Sequence, residues 1–176
     1  MIGAVVLAAG ASTRFGEPKQ ALLLGAVLER LKRTREIDDI VVVSGAHQLE
    51  ADVRVVECPQ WARGPGASLR CGLDALPDGT EAAVVVLADG PWLAPEAVER
   101  VLAAWRAGEG DVVAATYAGE RGHPVVLDRA AWETVPDAGA RALEPVLVAC
   151  DDLGSPGDVD VPADLGGRSA EAGAER

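Results

Sequence analysis

The sequence predicts an α/β domain in which a parallel sheet is covered by helices on both faces. Three observations carry this. Short apolar runs alternate with helical patterns over residues 1–116, and parallel strands need such crossovers. The 49% of hydrophobic residues comes from Ala, Val and Leu, with 3% aromatic, which favours α/β layering over an aromatic-rich sandwich. The 176 residues suit one domain, which buries about two thirds of its unfolded surface without a disulfide or metal staple.

Each element has its own signal. Ile2–Leu7 is apolar and β-branched without interruption, as a strand buried on both faces should be. Asp39–Ser44, Val53–Glu57, Ala82–Ala88, Asp111–Thr116 and Pro124–Leu127 follow as strands, with Ala82–Ala88 the strongest central candidate. Val146–Ala149 and Val159–Val161 read as edge strands. Helices are predicted over Pro18–Lys32, Ser68–Leu76 and Pro95–Ala107. In the last, Pro95 suits a first helical position, and Val98, Val101, Leu102 and Trp105 recur on one face. Residues 1–165 are expected to form the domain. Residues 166–176, rich in Gly, Ala, Glu and Arg, are expected to be a frayed tail.

The charge balance is 16 basic against 28 acidic residues, net −12. An acidic surface repels polyphosphate, so nucleic acid is excluded as a general partner. A small phosphorylated substrate must then be drawn in by a few local cations and a metal. Cys58, Cys71 and Cys150 are odd in number and show no CxxC spacing, so neither a disulfide framework nor a zinc site is expected. No apolar run approaches the ~20 residues of a membrane span. The apolar start lacks the basic flank of a signal peptide, and a cytoplasmic protein is expected.

In open α/β sheets ligands bind beyond the carboxyl ends of the strands. After the first strand come Ala8-Ala9-Gly10-Ala11-Ser12-Thr13-Arg14-Phe15-Gly16-Glu17-Pro18-Lys19, a small-residue loop with two cations leading into a helix. Backbone N–H groups, Arg14 and Lys19 each favour an anion; an ordinary turn with solvated charges is the alternative. The loop is neither a Walker A motif nor a dinucleotide fingerprint. After the strongest strand, Asp89 offers a hard oxygen ligand for Mg²⁺, or caps a turn before the helix at Pro95. Trp61–Ser68 is a second glycine loop, where Ser68 is an N-cap or touches a ligand. Gly119–Pro124 is a third, holding His123, and Asp158 and Asp160 lie on the same side of an extended segment.

Together these loops resemble the nucleotidyltransferases of molybdenum cofactor maturation, above all the cytidylyltransferase branch. The most specific piece is Leu7-Ala8-Ala9-Gly10-x-Ser12-x-Arg14-x-Gly16-x-x-Lys19. Gly66-Ala67-Ser68-Leu69-Arg70-x-Gly72-Leu73, Asp89-Gly90-Pro91-x-Leu93 and Arg121-Gly122-His123-Pro124-Val125 are similar to later family segments. So are Asp137-x-Gly139-Ala140-Arg141 and Asp158-Val159-Asp160-x-Pro162-x-Asp164-Leu165.

The resemblance implies a GT-A-like, Rossmann-type α/β/α sandwich with a mostly parallel, mixed sheet. It implies transfer of a nucleotidyl group, CMP favoured, from an NTP to a phosphorylated acceptor, most of all molybdopterin, with release of pyrophosphate. Carried over by position, Leu7, Ala8, Ala9, Gly10, Ser12, Gly66 and Ser68 would bind the nucleotide. Arg14 and Lys19 would hold the triphosphate and act in catalysis with Asp89. Asp89 would bind Mg²⁺ with Asp158 or Asp160, and Pro91, His123 and Arg141 would bind the acceptor. CTP is the favoured donor, a molybdenum hydroxylase is a candidate partner, and a monomer is expected. The chain departs from the family pattern in Gly90, which stands where Gln is usual, in Val161 for Thr, and in shorter stretches after Gly25 and Gly45. A non-catalytic accessory module for a molybdenum hydroxylase is the alternative that these shortened loops suggest. Other acceptors within the resemblance are methylerythritol phosphate, phospholactate and sugar phosphates, besides GMP transfer to molybdopterin.

Overall fold

The computed structural model describes residues 1–10 and 19–157, with side chains from residue 23 in the first helix. It contains a seven-stranded sheet of order β3-β2-β1-β4-β6-β5-β7. The strands are β1 (Ile2–Leu7), β2 (Asp39–Ser44), β3 (Arg54–Glu57), β4 (Ala82–Leu87), β5 (Val112–Tyr117), β6 (Glu120–Asp128) and β7 (Val146–Ala149). The helices are α1 (Lys19–Arg33), α2 (Pro65–Ala75) and α3 (Pro95–Arg106). The predicted strand Val159–Val161 and the predicted tail lie outside the described residues.

The continuous apolar runs are explained by burial on both faces. Along β1 and β4, Ala4, Val6, Val84 and Val86 enter one core with Leu24, Val27, Leu28 and Leu31 of α1 and Val98, Val101 and Leu102 of α3. The alternate residues Val5, Ala83 and Val85 enter a second core with Leu69 and Leu73 of α2, and Trp132 and Val135. The two-residue period of a strand sends successive side chains to opposite layers, and here both layers are apolar.

β1 pairs in parallel with β2 and β4, and β2 with β3. β6 is antiparallel to both β4 and β5. The sheet is therefore mixed, as the family resemblance implies. The alternation of strand and helix patterns alone pointed to a parallel sheet. The reversal is a hairpin: Tyr117 pairs with Glu120 across a two-residue turn, Ala118 and Gly119, whose φ angles are 51° and 79°. Two positive φ values give the turn the twist that antiparallel neighbours require. β6 also begins four residues before Pro124, the predicted start.

α2 begins at Pro65, not Ser68. Pro65 occupies its first turn and Gly64 is the cap residue, so Ser68 is a helical residue and not an N-cap. Cys58 and Cys71 form a disulfide, with Cα atoms 5.8 Å apart. No spacing rule could find this pair, because the fold brings the end of β3 against the middle of α2. Among the described residues, no helix is long and apolar enough to cross a membrane.

Candidate functional site

The strand order turns at β1 and β4. From β1 the chain builds outward through β2 and β3, and from β4 the other way, so the carboxyl ends of these two neighbours form the crevice where α/β sheets bind ligands. Leu7 pairs with Leu87 at those ends, and the N–H of Ala88 donates to the carbonyl of Leu7 at 3.0 Å. The loops that leave the two strands are thus joined at their roots.

A cavity of about 350 Å³ opens there. Leu7, Ala9, Gly10, Ser68 and Asp89 line it, five residues that the sequence nominated. Ala8 is buried, its N–H donating to the Val43 carbonyl at 3.0 Å. The carbonyl of Ala9 accepts from the Ala46 N–H at 3.2 Å, so the exit of β2 steadies this loop. Trp61, Gly64, Pro65 and Leu87 complete the wall.

Gly66 does not reach the cavity. It is buried, and its N–H donates to the Asp137 carbonyl at 3.0 Å. The second motif of the sequence therefore divides: Ser68 faces the cavity, while Gly66 receives a distant backbone. Arg70 belongs with Gly66. It donates to the Val135 carbonyl at 2.7 Å and ion-pairs with Asp137, which Arg63 also approaches at 3.3 Å. These arginines, Arg70 first, hold the Asp137 carboxyl below its usual range. The segment 137–141 is thus a clamp on the start of α2 before it is anything else.

A second cavity of about 480 Å³ lies on the other side of the turn after β4. Leu87 lines both cavities, Asp89 lines the first and Gly90 the second. His123, Arg141 and Tyr117 face the second cavity. Pro91 is buried and lines neither. Gly90 lies under the returning chain: a β-carbon there would be 3.3 Å from the Gly157 carbonyl oxygen. The Trp92 N–H donates to the Pro156 carbonyl at 3.2 Å.

Burial pushes His123 down to about 4; the Asp89 carboxylate opposes this shift and the Arg121 guanidinium adds to it. His123 is therefore neutral at pH 7. Its carbonyl accepts from the Tyr117 hydroxyl at 2.9 Å, and burial pushes that phenol up. Arg121 points away from ligand duty. Its guanidinium donates to the carbonyls of Ala140 (2.8 Å), Arg141 (3.2 Å) and Leu143 (2.8 Å), which fixes the segment carrying Arg141.

Asp89 lies in the turn between β4 and α3, and the residue that caps α3 is Ala94. Its Oδ1 is buried at the seam between the cavities. Ser12, Arg14, Asp158 and Asp160 lie outside the described residues, as does the side chain of Lys19. No group of three His, Cys, Asp or Glu side chains suited to a metal occurs among the described residues. The wall residues Trp61, Gly64 and Pro65 escaped assignment from sequence. The one available signal was a Trp set just before a Gly-Pro helix start.

The fold is shared with known proteins. The family model for the MobA-like NTP transferase domain matches residues 4–152. The crystal structure of Rv0371c from Mycobacterium tuberculosis H37Rv is 30% identical. The match covers 93% of this chain and 94% of that one, with a TM-score of 0.74. A structure of the same protein in complex with manganese is 27% identical, over 84% of this chain and 87% of that one, with a TM-score of 0.63. Molybdopterin-guanine dinucleotide biosynthesis protein A from Archaeoglobus fulgidus, 16% identical, shares the fold. That match covers 94% of this chain and 95% of that one, with a TM-score of 0.68. No curated protein matches the chain. The chain belongs to the MobA-like NTP transferase domain family.

Proposed function

We propose that this chain is a Mg²⁺-dependent nucleotidyltransferase that moves CMP from CTP to a phosphorylated acceptor, with molybdopterin the first candidate, and releases pyrophosphate. The observation that carries the reading is the pair of cavities meeting at one turn, with Asp89 facing one and Gly90 the other. A two-substrate transfer needs two sites that touch, because held reactants react far faster than free ones.

In this reading the first cavity takes the nucleotide and the second the acceptor. An acceptor phosphate oxygen forms a bond to the α-phosphorus, the bond to the bridging oxygen breaks, and pyrophosphate leaves with the electron pair. Little acid–base chemistry is needed; positioning and charge neutralisation decide the rate. Arg14 and Lys19 are assigned to the triphosphate, and Arg141 to the acceptor phosphate. Neutral His123 and Tyr117 shape the acceptor side without adding charge.

A metal fits this donor set. One hard carboxylate at the seam suits a cation that keeps several waters and takes its other ligands from phosphates, so Asp89, with Asp158 or Asp160, is where it would be held. When bound it would offset charge on the phosphates.

Calorimetric titration of CTP, GTP, ATP and UTP with Mg²⁺, on wild type and Asp89→Ala, tests the reading. It expects one NTP to bind most tightly and the Mg²⁺ dependence to vanish in the variant, followed by pyrophosphate release with molybdopterin. Failure of every NTP to bind overturns it.

A further inference from the structure

Among the described residues lining the first cavity, Trp61 is the only one with an aromatic ring. Its indole is half-buried and packs into the second core, while the rest of its surface forms the cavity wall. The ring reaches that place because Gly45 has no side chain: a β-carbon on Gly45 would lie 2.6 Å from both Cβ and Cγ of Trp61. Gly45 follows β2 directly and Trp61 follows β3, so two neighbouring strand exits meet edge to edge beside Ala9.

The backbone under the ring is held. The Trp61 N–H donates to the Cys58 carbonyl at 3.2 Å, and the Trp61 carbonyl accepts from the Gly64 N–H at 3.2 Å. The Cys58–Cys71 disulfide closes the loop onto α2, the helix that presents Ser68 to the same cavity. The indole is thus placed before any ligand arrives, and ordering it costs little on binding.

We propose that Trp61 is the platform on which the nucleobase stacks, an assignment that rests on the first cavity being the nucleotide site. Every base has a π-face, so stacking strengthens binding of all bases alike. The choice among bases then falls to groups that read edges, the Ala9–Gly10 backbone and the Ser68 hydroxyl. Trp61 supplies affinity and Ser68 supplies discrimination.

The test uses the full chain with its four tryptophans replaced by 5-fluorotryptophan. The Trp61 resonance is identified by its loss in Trp61→Phe. Addition of CTP with Mg²⁺ is expected to move that line. In calorimetry Trp61→Leu, which fills space without a π-face, is expected to weaken every NTP the wild type binds by a similar factor, about tenfold. Trp61→Phe is expected to hold affinity within about threefold, and Ser68→Ala to change the ratio between bases. A silent Trp61 line while CTP binds, unchanged affinity in Trp61→Leu, or a loss confined to one base overturns the platform alone. Absence of NTP binding to the wild type, with all fluorine lines unmoved, overturns the transferase reading and the platform with it.

Discussion

The backbone of Pro136 occupies the space that a side chain on Gly66 would need: a β-carbon there would lie 1.8 Å from the Pro136 carbonyl oxygen. The Gly66 N–H meanwhile donates to Asp137. Two segments far apart in sequence are thus held backbone to backbone at the entrance of α2, and the cavity wall from Trp61 to Ser68 hangs from that contact.

Gly66→Ala is therefore expected to destabilise the fold by about 2–3 kcal/mol, because backbone cannot yield as a flexible side chain does. Gly25→Ala is the control. Gly25 lies exposed inside α1 with nothing within 4 Å of a new β-carbon, so the substitution should stabilise by about 0.5–1 kcal/mol. Urea denaturation of both variants measures the contrast, and similar midpoints would contradict it.

Asp89→Asn keeps the size of the side chain and removes its charge. The variant should bind CTP like the wild type in the presence of a chelator and lose the gain that Mg²⁺ gives. Turnover should fall by about 10²–10³, the usual cost of removing one preorganised electrostatic contact. Pyrophosphate release and calorimetry, with and without Mg²⁺, check the two halves separately.

The parallel half of the fold was legible because burial on two faces writes itself into sequence as unbroken runs such as Val84-Val85-Val86. The β5–β6 hairpin was not. Its turn uses Ala118 at positive φ, where Gly or Asn is the usual signal, and Pro124 reads as a break although it lies inside β6. At the site, strand exits led to Leu7, Gly10 and Asp89, which line the first cavity, because the position of a crevice follows from strand direction. Gly66, assigned to the nucleotide by position in the family pattern, sits against Pro136 and Asp137, partners that reach it only through the fold. Trp61 went unassigned for the same reason: the space it uses is left by Gly45 on another loop.

His123 gives the protein an acid-sensitive step. Its pKa in the fold is about 4, against about 6.5 when unfolded, with Asp89 and Arg121 the charged groups that act on it. Between these values the unfolded chain binds the extra proton, so stability falls as pH drops from 6.5 to 4 and is indifferent to this group above that window. The carboxylates held down by arginine, Asp137 by Arg70 and Asp152 by Arg100, lose their contribution at lower pH still. His123→Gln should flatten the stability profile between pH 6.5 and 4 and leave the more acidic limb in place. Urea midpoints across that range decide it, and a profile identical to wild type would refute the assignment.

Arg121 lines the second cavity, yet its donors are committed to the carbonyls of Ala140, Arg141 and Leu143. A planar guanidinium can serve several carbonyls at fixed angles, and a lysine ammonium cannot. Arg121→Lys should therefore cost about 2–3 kcal/mol, since bonds from a charged donor count for more than neutral ones. The damage should be local. The Ala142 and Leu143 N–H groups, bonded back to Gly139 and Ala140, should exchange faster with solvent, while the amides of β1 and β4 keep their protection. Arg141→Ala should do the opposite, leaving exchange in this segment unchanged and weakening the acceptor alone. That result would raise the acceptor KM and leave CTP affinity as it was. If both variants loosen residues 139–143 equally, the arginines share one structural task and the division between positioning and binding fails.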